Sequence, residues 1–332
     1  MKKEIPVKTV LGQVERQEPV RVTARGCIRP LPYAKRAHMF LRLYRKLRAK
    51  RLGQSISRSL PNGPEPTFPN LEWQLCTTAQ TRAPAYLDWC DVIHRRPDAQ
   101  RRKVWEYCYA LQGLTEQLGL RAGQRGLGFG VGREPMPSVF AARGIEVVAT
   151  DLSVESAQGT GWIRSREHAA SLEQLLHPKI CSAEQLRKHV SFRPADMNAI
   201  PEDLTGFDFC WSSCAFEHLG SIELGMRFIE RSLECLKPGG VAVHTTEFNL
   251  VSNDATVDNQ GTVLFRKRDL EELARRLTAK GAEVLPLNCH PGSEPLDHHI
   301  DVPPYRWVPH LRLMLGRFAT TSVGIIVKRG PA

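Results

Sequence analysis

One stretch constrains this chain more than any other. Gly126-Leu-Gly128-Phe-Gly130-Val-Gly132 follows an apolar start, a helix opens near Pro135, and a second apolar run, Glu-Val-Val-Ala-Thr, ends in Asp151. Glycines at a strand-to-helix turn leave the backbone bare of Cβ atoms, so a ligand can lie directly against it. A loop of this kind also serves as a plain structural turn. The acid 19 residues after Gly132 adds the second half of a pattern. In a doubly wound sheet it sits beside the glycine loop at the carboxyl edge, where a carboxylate accepts hydrogen bonds from both ribose hydroxyls. The bland alternative is that Asp151 caps the next helix. Loop and acid together point to a nucleoside-containing cofactor.

The rest of the chain alternates in the same way. Short β-like runs (QRGLGF, EVVATD, VSFRPAD, FDFCWSS, GGVAVHTTE) are separated by helical runs, including 221–236 and 267–280. This predicts an α/β fold with a mainly parallel, doubly wound sheet covered by helices on both faces. The last two runs, AEVLPLN and SVGIIVK, have no helix between them and should pair through a long excursion. Upstream, residues 71 to about 120 read as helical, with Val104, Cys108, Leu111, Thr115 and Leu118 in register, Pro97-Asp98 as the start, and Gly119 and Gly123 as the stop. Ser55 to Pro69 reads as a linker. The domain reading is therefore a basic arm and linker start over 1–63, a helical cap over 64–124, and the cofactor-binding domain over 125–332.

The net charge of +11 is confined to the arm: residues 1–63 hold 16 Lys/Arg against Glu4, Glu15 and Glu18, and the remainder holds 30 against 32 acids. Nucleic acid is therefore not the expected partner of the core. The arm itself would suit an anionic membrane surface or an acidic partner. Within it, Met39, Phe40, Leu43, Tyr44 and Leu47 form an apolar stripe at helical spacing, able to lie on a membrane surface or to dock on the protein's own core. The nine cysteines show no CxxC pair, no run resembles a signal peptide, and none approaches a membrane span, so a reducing cytoplasm is expected, with the arm peripheral to the inner membrane face.

A dinucleotide fingerprint would require glycine three positions after Gly130, where Arg133 stands with Glu134 behind it. That disfavours a nicotinamide-dependent oxidoreductase. Downstream come Phe192-Arg-Pro-Ala-Asp196-Met197, Phe207-Asp-Phe-Cys-Trp-Ser212-Ser213-Cys-Ala-Phe-Glu217-His218 and Lys237-Pro-Gly-Gly240. With these segments, residues 104–329 resemble the class I S-adenosylmethionine-dependent methyltransferases. The resemblance implies a seven-stranded sheet and S-adenosylmethionine as cofactor. It implies that Gly130 and Gly132 pass under the methionine part and that Asp151, with Leu152 beside it, holds the ribose. Asp196 would reach the adenine amino group, Met197 would pack on its ring, and Ser212 and Ser213 would lie beside the sulfonium. Two departures stand out: the acid usual before the glycine loop is Gly128, and the third family glycine is Glu134, which could take the cofactor's ammonium group. The phrases GFGVGREPMPSVFAARG, SCAFEHLGS and DVPPY narrow the likeness to bacterial methyltransferases that accompany glycosyltransferases in polysaccharide pathways. The acceptor implied is a small molecule or glycan offering a sugar hydroxyl.

Methyl transfer is an in-line displacement, so positioning plus a proton acceptor suffices. His218, His244, His290, His298, His299, His310 and Glu247 are available. His218, after the fourth strand of the family core, and Glu247, ending the fifth, are the favoured bases. The cluster Asp297-His298-His299-Ile-Asp301 could ligate a metal, but adjacent residues rarely converge on one ion, and no metal is expected. Tyr305 and Trp307 could stack on a sugar or pack in the core. The competing class is a nonenzymatic domain of the same fold that docks on anionic surfaces through its arm.

Overall fold

The computed structural model describes residues 33–59, 63–96, 101–157, 168–306 and 309–331. Its centre is one twisted sheet. The strands are β1 (Trp73–Leu75), β2 (Arg125–Gly128), β3 (Glu146–Asp151), β4 (Val190–Pro194), β5 (Phe207–Ser213), β6 (Leu236–Asn249), β7 (Glu283–Val284), β8 (Leu287–Asn288), β9 (Leu313–Leu315) and β10 (Phe318–Lys328). Their order is β4-β3-β2-β5-β6-β10-β1-β8, with β7 and β9 also pairing with β10. Strands β4 to β6 along this order are mutually parallel, and β10 enters antiparallel to β6 over nine residue pairs. The order reverses direction at β2, between β3 and β5, and there the crevice of a doubly wound sheet opens at the carboxyl ends of the strands.

The helices are α1 (Tyr33–Ser59), α2 (Pro84–Val92), α3 (Arg102–Leu118), α4 (Met136–Ala142), α5 (Val154–Ala157), α6 (Ala183–His189), α7 (Ile222–Glu234) and α8 (Lys267–Ala279). Alternation along the strands separates two cores. Phe209, Trp211, Val241 and Val243 pack with Trp105, Tyr109, Leu111 and Phe140 from α3 and α4, whereas Cys210 and Ala242 pack with Phe228, Ile229, Leu270 and Leu273 from α7 and α8. Side chains at odd and even positions of one strand face opposite layers, so one run of sequence supplies both cores. Two helix starts are written locally: Ser182 and Gln185 form a capping box on α6, and Ser221 Oγ accepts from Leu224 N at 3.1 Å on α7.

The sheet has ten strands rather than seven. One added strand, β1, lies inside the span expected to be helical; Trp73 and Leu75 are fully buried there between β10 and β8. The run AEVLPLN splits into β7, against β10, and β8, against β1, with Pro286 between them. Proline has no N–H to continue a ladder, and its carbonyl instead accepts from Trp73 N at 2.9 Å. The helix start expected at Pro97-Asp98 lies outside the described residues.

The boundary expected at residue 63 also moves. The chain divides into Met1–Leu43 and Tyr44–Ala332. Helix α1 continues through the expected linker start to Ser59, and its Leu52 and Ile56 are buried in the core. Phe40, Leu43, Tyr44 and Leu47 are 46–65% exposed. Deleting residues 1–63 is therefore expected to destabilise the fold, by about 1.5–3 kcal/mol for each of the two buried side chains lost. Thermal unfolding of the truncated chain measures it. Among the described residues no helix is long and apolar enough to cross a membrane.

Candidate functional site

At the carboxyl end of β2 the glycine loop is held from three sides. Phe129 N donates to Trp211 O on β5 (2.9 Å), Val131 N to Thr150 O on β3 (3.0 Å), and Gly132 N to the Asp151 carboxylate (3.1 Å). Gly130 and Gly132 have φ of +57° and +50°. A Cβ on Gly130 would lie 2.9 Å from Ala215 Cβ and 3.3 Å from Met197 Sδ. The segments after β4 and β5 thus close on this one residue.

Asp151 accepts from three backbone amides: Gly132 N, Leu152 N at 2.8 Å and Ala169 N at 3.1 Å. Burial nonetheless pushes its carboxyl above the usual aspartate range, against the lowering effect of those bonds. Asp196 is exposed after β4, its Oδ1 accepting from Asn198 N at 2.8 Å, while the next residue, Met197, is buried beside Gly130. Ser212 is spent elsewhere. Its hydroxyl is fully buried, 2.8 Å from His244 Nδ1, and His244 Nε2 lies 3.2 Å from Ser232 Oγ under α7. Ser213, one residue on, faces the other layer, with a buried hydroxyl on the Glu134 side.

A second group of polar side chains gathers beyond β5 and β6. The first turn of α3 reaches it: Arg102 forms an ion pair with Glu247, and Lys103 Nζ lies 2.8 Å from Ser213 O and 3.2 Å from Glu106 Oε2. Ser322 Oγ donates to Glu106 Oε1 at 2.5 Å, Thr320 Oγ1 to Glu247 Oε2 at 2.6 Å, and Thr246 Oγ1 to Glu217 Oε2 at 3.1 Å. Burial, aided by the neighbouring Glu247 charge, pushes the Glu217 carboxyl up to about 8, so it is mostly neutral at pH 7. Glu106, equally buried, is held below the usual range by Lys103 and Arg102, which outweigh its desolvation. Glu106 and Glu247 therefore face Arg102 and Lys103. Cys214, Glu217 and Glu247 place ligand atoms within 4.8 Å of one another and could hold a metal ion, but Arg102 already answers the Glu247 charge.

The methyltransferase-domain family matches residues 94–287, more than half of the chain and all of this edge except the residues on β10. The chain belongs to the methyltransferase-domain family. S-adenosylmethionine is accordingly its cofactor. No curated protein matches the sequence. Among solved structures, phosphoethanolamine N-methyltransferase 2 of Haemonchus contortus, in complex with phosphomonomethylethanolamine and S-adenosylhomocysteine, is 19% identical with a TM-score of 0.35. That match covers 52% of this chain but only 37% of the nematode enzyme, so the chain spans well under half of that relative's length. An S-adenosylmethionine-dependent methyltransferase from Mesorhizobium loti is 14% identical over 67% of this chain and 98% of its own, with a TM-score of 0.40.

The histidines of this methyltransferase divide sharply. His218, in a short turn after β5, has Nδ1 2.8 Å from Gly261 O and 3.2 Å from Thr262 Oγ1, and its Nε2 lies 3.7 Å from Glu217 Oε1. Burial lowers its pKa to about 4, so the ring is neutral at pH 7 with Nδ1–H donating to the Gly261 carbonyl. His244 is sealed under α7 and driven down to about 3 by burial. The Asp297–Asp301 cluster does not converge. Asp297 turns inward to Thr78 N and Oγ1 (both 2.9 Å), His298 and His299 are exposed, and Asp301 Oδ2 takes His310 Nδ1 at 2.8 Å. His290 Nδ1 accepts from Gly292 N at 3.0 Å. Tyr305 is half-buried with its hydroxyl on Met314 O, and Trp307 lies outside the described residues. Sequence reasoning missed Arg102, Lys103 and Glu106. A signal existed: Glu106 interrupts the apolar run Val-Trp-Glu-Tyr-Cys-Tyr-Ala-Leu of α3, and an acid inside a buried helical face needs a charged partner.

Proposed function

We propose that this methyltransferase carries the methyl group of S-adenosylmethionine to a hydroxyl of a sugar or glycan held over the carboxyl ends of β5 and β6. In this reading Gly130, Gly132 and Met197 shape the cofactor's bed, Asp151 and Leu152 take the ribose, Asp196 the adenine, and Ser213 the methionine end. The observation that carries it is the cluster of Arg102, Lys103, Glu106, Glu217, His218 and Glu247 at that edge. Buried hydroxyls, carboxylates and cations there suit an acceptor rich in hydrogen-bonding groups. His218 is the proton acceptor. Its ring is neutral at pH 7 with Nδ1–H donating to the Gly261 carbonyl, and its Nε2, the nitrogen that would take the proton, lies 3.7 Å from Glu217 Oε1. Glu247, tied to Arg102 and Thr320, orients the acceptor rather than removing its proton.

Two measurements test the reading. The first is mass spectrometry of bacterial glycans, small amines and thiols after incubation with methyl-deuterated cofactor; label on nitrogen or sulfur alone would sink the hydroxyl assignment. The second concerns Asp151→Ala, which should weaken S-adenosylhomocysteine binding by about 1–3 kcal/mol, the usual cost of leaving buried partners without their acceptor. Three backbone amides, including that of Gly132, lose their acceptor as well. Unchanged affinity in a folded variant removes Asp151 from the site.

A further inference from the structure

Gly128 stands where the family resemblance leads one to expect an acid, and the structure shows why no side chain is there. A Cβ on Gly128 would lie 2.5 Å from Trp211 Cζ2 and from Val131 Cγ1, because the Trp211 indole covers that point of β2. The indole N–H donates to Glu134 Oε1. An acid six residues further along is thereby folded back onto the side chain that fills the missing acid's place, through a turn in which Glu134 N donates to Val131 O at 3.2 Å. Glu134 is 3% exposed, and among the described residues it forms no ion pair. The buried Ser213 hydroxyl lies on the same layer of β5 as Trp211 and also faces Glu134.

We infer that Glu134 receives the α-ammonium group of the cofactor in place of the absent acid at 128, and that binding there expels a proton from its carboxyl. The inference rests on the methyltransferase reading above. The groups facing Glu134 are Trp211 and Ser213 from β5, Lys103 and Tyr107 from α3, Asp151 from β3, and His177. Lys103 is the one cation among those on α3 and β5, and its ammonium is already held by Ser213 O and Glu106. Burial therefore dominates and raises the Glu134 carboxyl to about 8. The sign follows directly. Below that value the carboxyl holds a proton; an arriving cation favours the ionised form; so the proton leaves and affinity rises with pH. The rise is up to about tenfold per pH unit between pH 6 and 7.5, where an α-amino group near its ordinary value is still largely charged.

Isothermal titration with S-adenosylhomocysteine, in buffers of different ionisation enthalpy, tests this without an acceptor. The wild-type chain should release close to one proton at pH 6.5. Glu134→Gln should release none, show a flat dependence on pH, and bind roughly tenfold more weakly at pH 7.5, where the lost charge-assisted bond is most fully expressed. Methylthioadenosine, which lacks the amino-acid end, should bind both chains without releasing a proton. Heats of S-adenosylhomocysteine binding to the wild-type chain that do not vary with buffer would overturn the inference, as would undiminished proton release in Glu134→Gln. If neither nucleoside binds, the cofactor reading itself fails and the role of Glu134 falls with it.

Discussion

His218→Asn is expected to lower the single-turnover rate of methyl transfer to a hydroxyl acceptor by about 10²–10⁴-fold, the contribution of a positioned base. Asparagine can keep a side-chain donor toward Gly261 O but offers no basic nitrogen. S-adenosylhomocysteine affinity should fall far less than the rate, since His218 is held by Gly261, Thr262 and Glu217. The pH profile supplies an independent readout. Because burial holds the imidazole near 4, the acid limb of the rate should fall close to that value and not near the ordinary histidine value of about 6.5. The pair Glu247→Gln should cost less than His218→Asn. A His218→Asn rate within about threefold of wild type, far below what a base supplies, would reduce His218 to a structural role.

Gly130→Val should abolish detectable cofactor binding. Two effects add. The residue has φ +57°, which for a β-branched side chain is strongly disfavoured, and the first added carbon would stand 2.9 Å from Ala215 Cβ and 3.3 Å from Met197 Sδ. Met197 can swing its flexible end aside, but Ala215 sits in the turn that carries Glu217 and His218, so relieving the clash moves that turn as well. Gly130→Ala separates the effects, because it keeps the contact and most of the backbone penalty while removing the branched methyls. Circular dichroism establishes that each variant is folded. A folded Gly130→Val protein that binds S-adenosylhomocysteine normally would show that the cofactor does not pass over this loop.

The legible parts of this protein are those written by near neighbours in sequence. Alternation of apolar runs predicts β2 to β6 and the helices between them, because a parallel strand buried on both faces and an amphipathic helix each leave a periodic trace. The pairing of the last strand with AEVLPLN was readable from the absent helix between them, and Val327 does oppose Val284. The missed elements were short. Strand β1 has three residues, too few to show a period, and lies in a span whose later part is a true helix. The burial of Leu52 and Ile56 was not legible, because they are only two apolar residues in a polar run and nothing local announces that the core receives them.

For the site the division is the same. The glycine loop, the acid ending β3 and the carboxyl-edge positions of His218 and Glu247 were legible from the residues in order, since in a doubly wound sheet chain order settles which residues end each strand. What each group can do depends on the packing of the folded chain. It turned Ser212 to His244 and Ser213 to the opposite layer, two neighbours that sequence could not tell apart without knowing which layer each faces. It brought Arg102 onto the Glu247 carboxylate and Lys103 onto the Ser213 carbonyl, both more than a hundred residues away. It drove His218 and Glu217 in opposite directions by the same burial, because desolvation penalises whichever form is charged, the imidazolium in one and the carboxylate in the other. Local pattern places a residue on an edge, whereas its ionisation depends on every charge and every missing water around it, and those arrive only when distant segments meet.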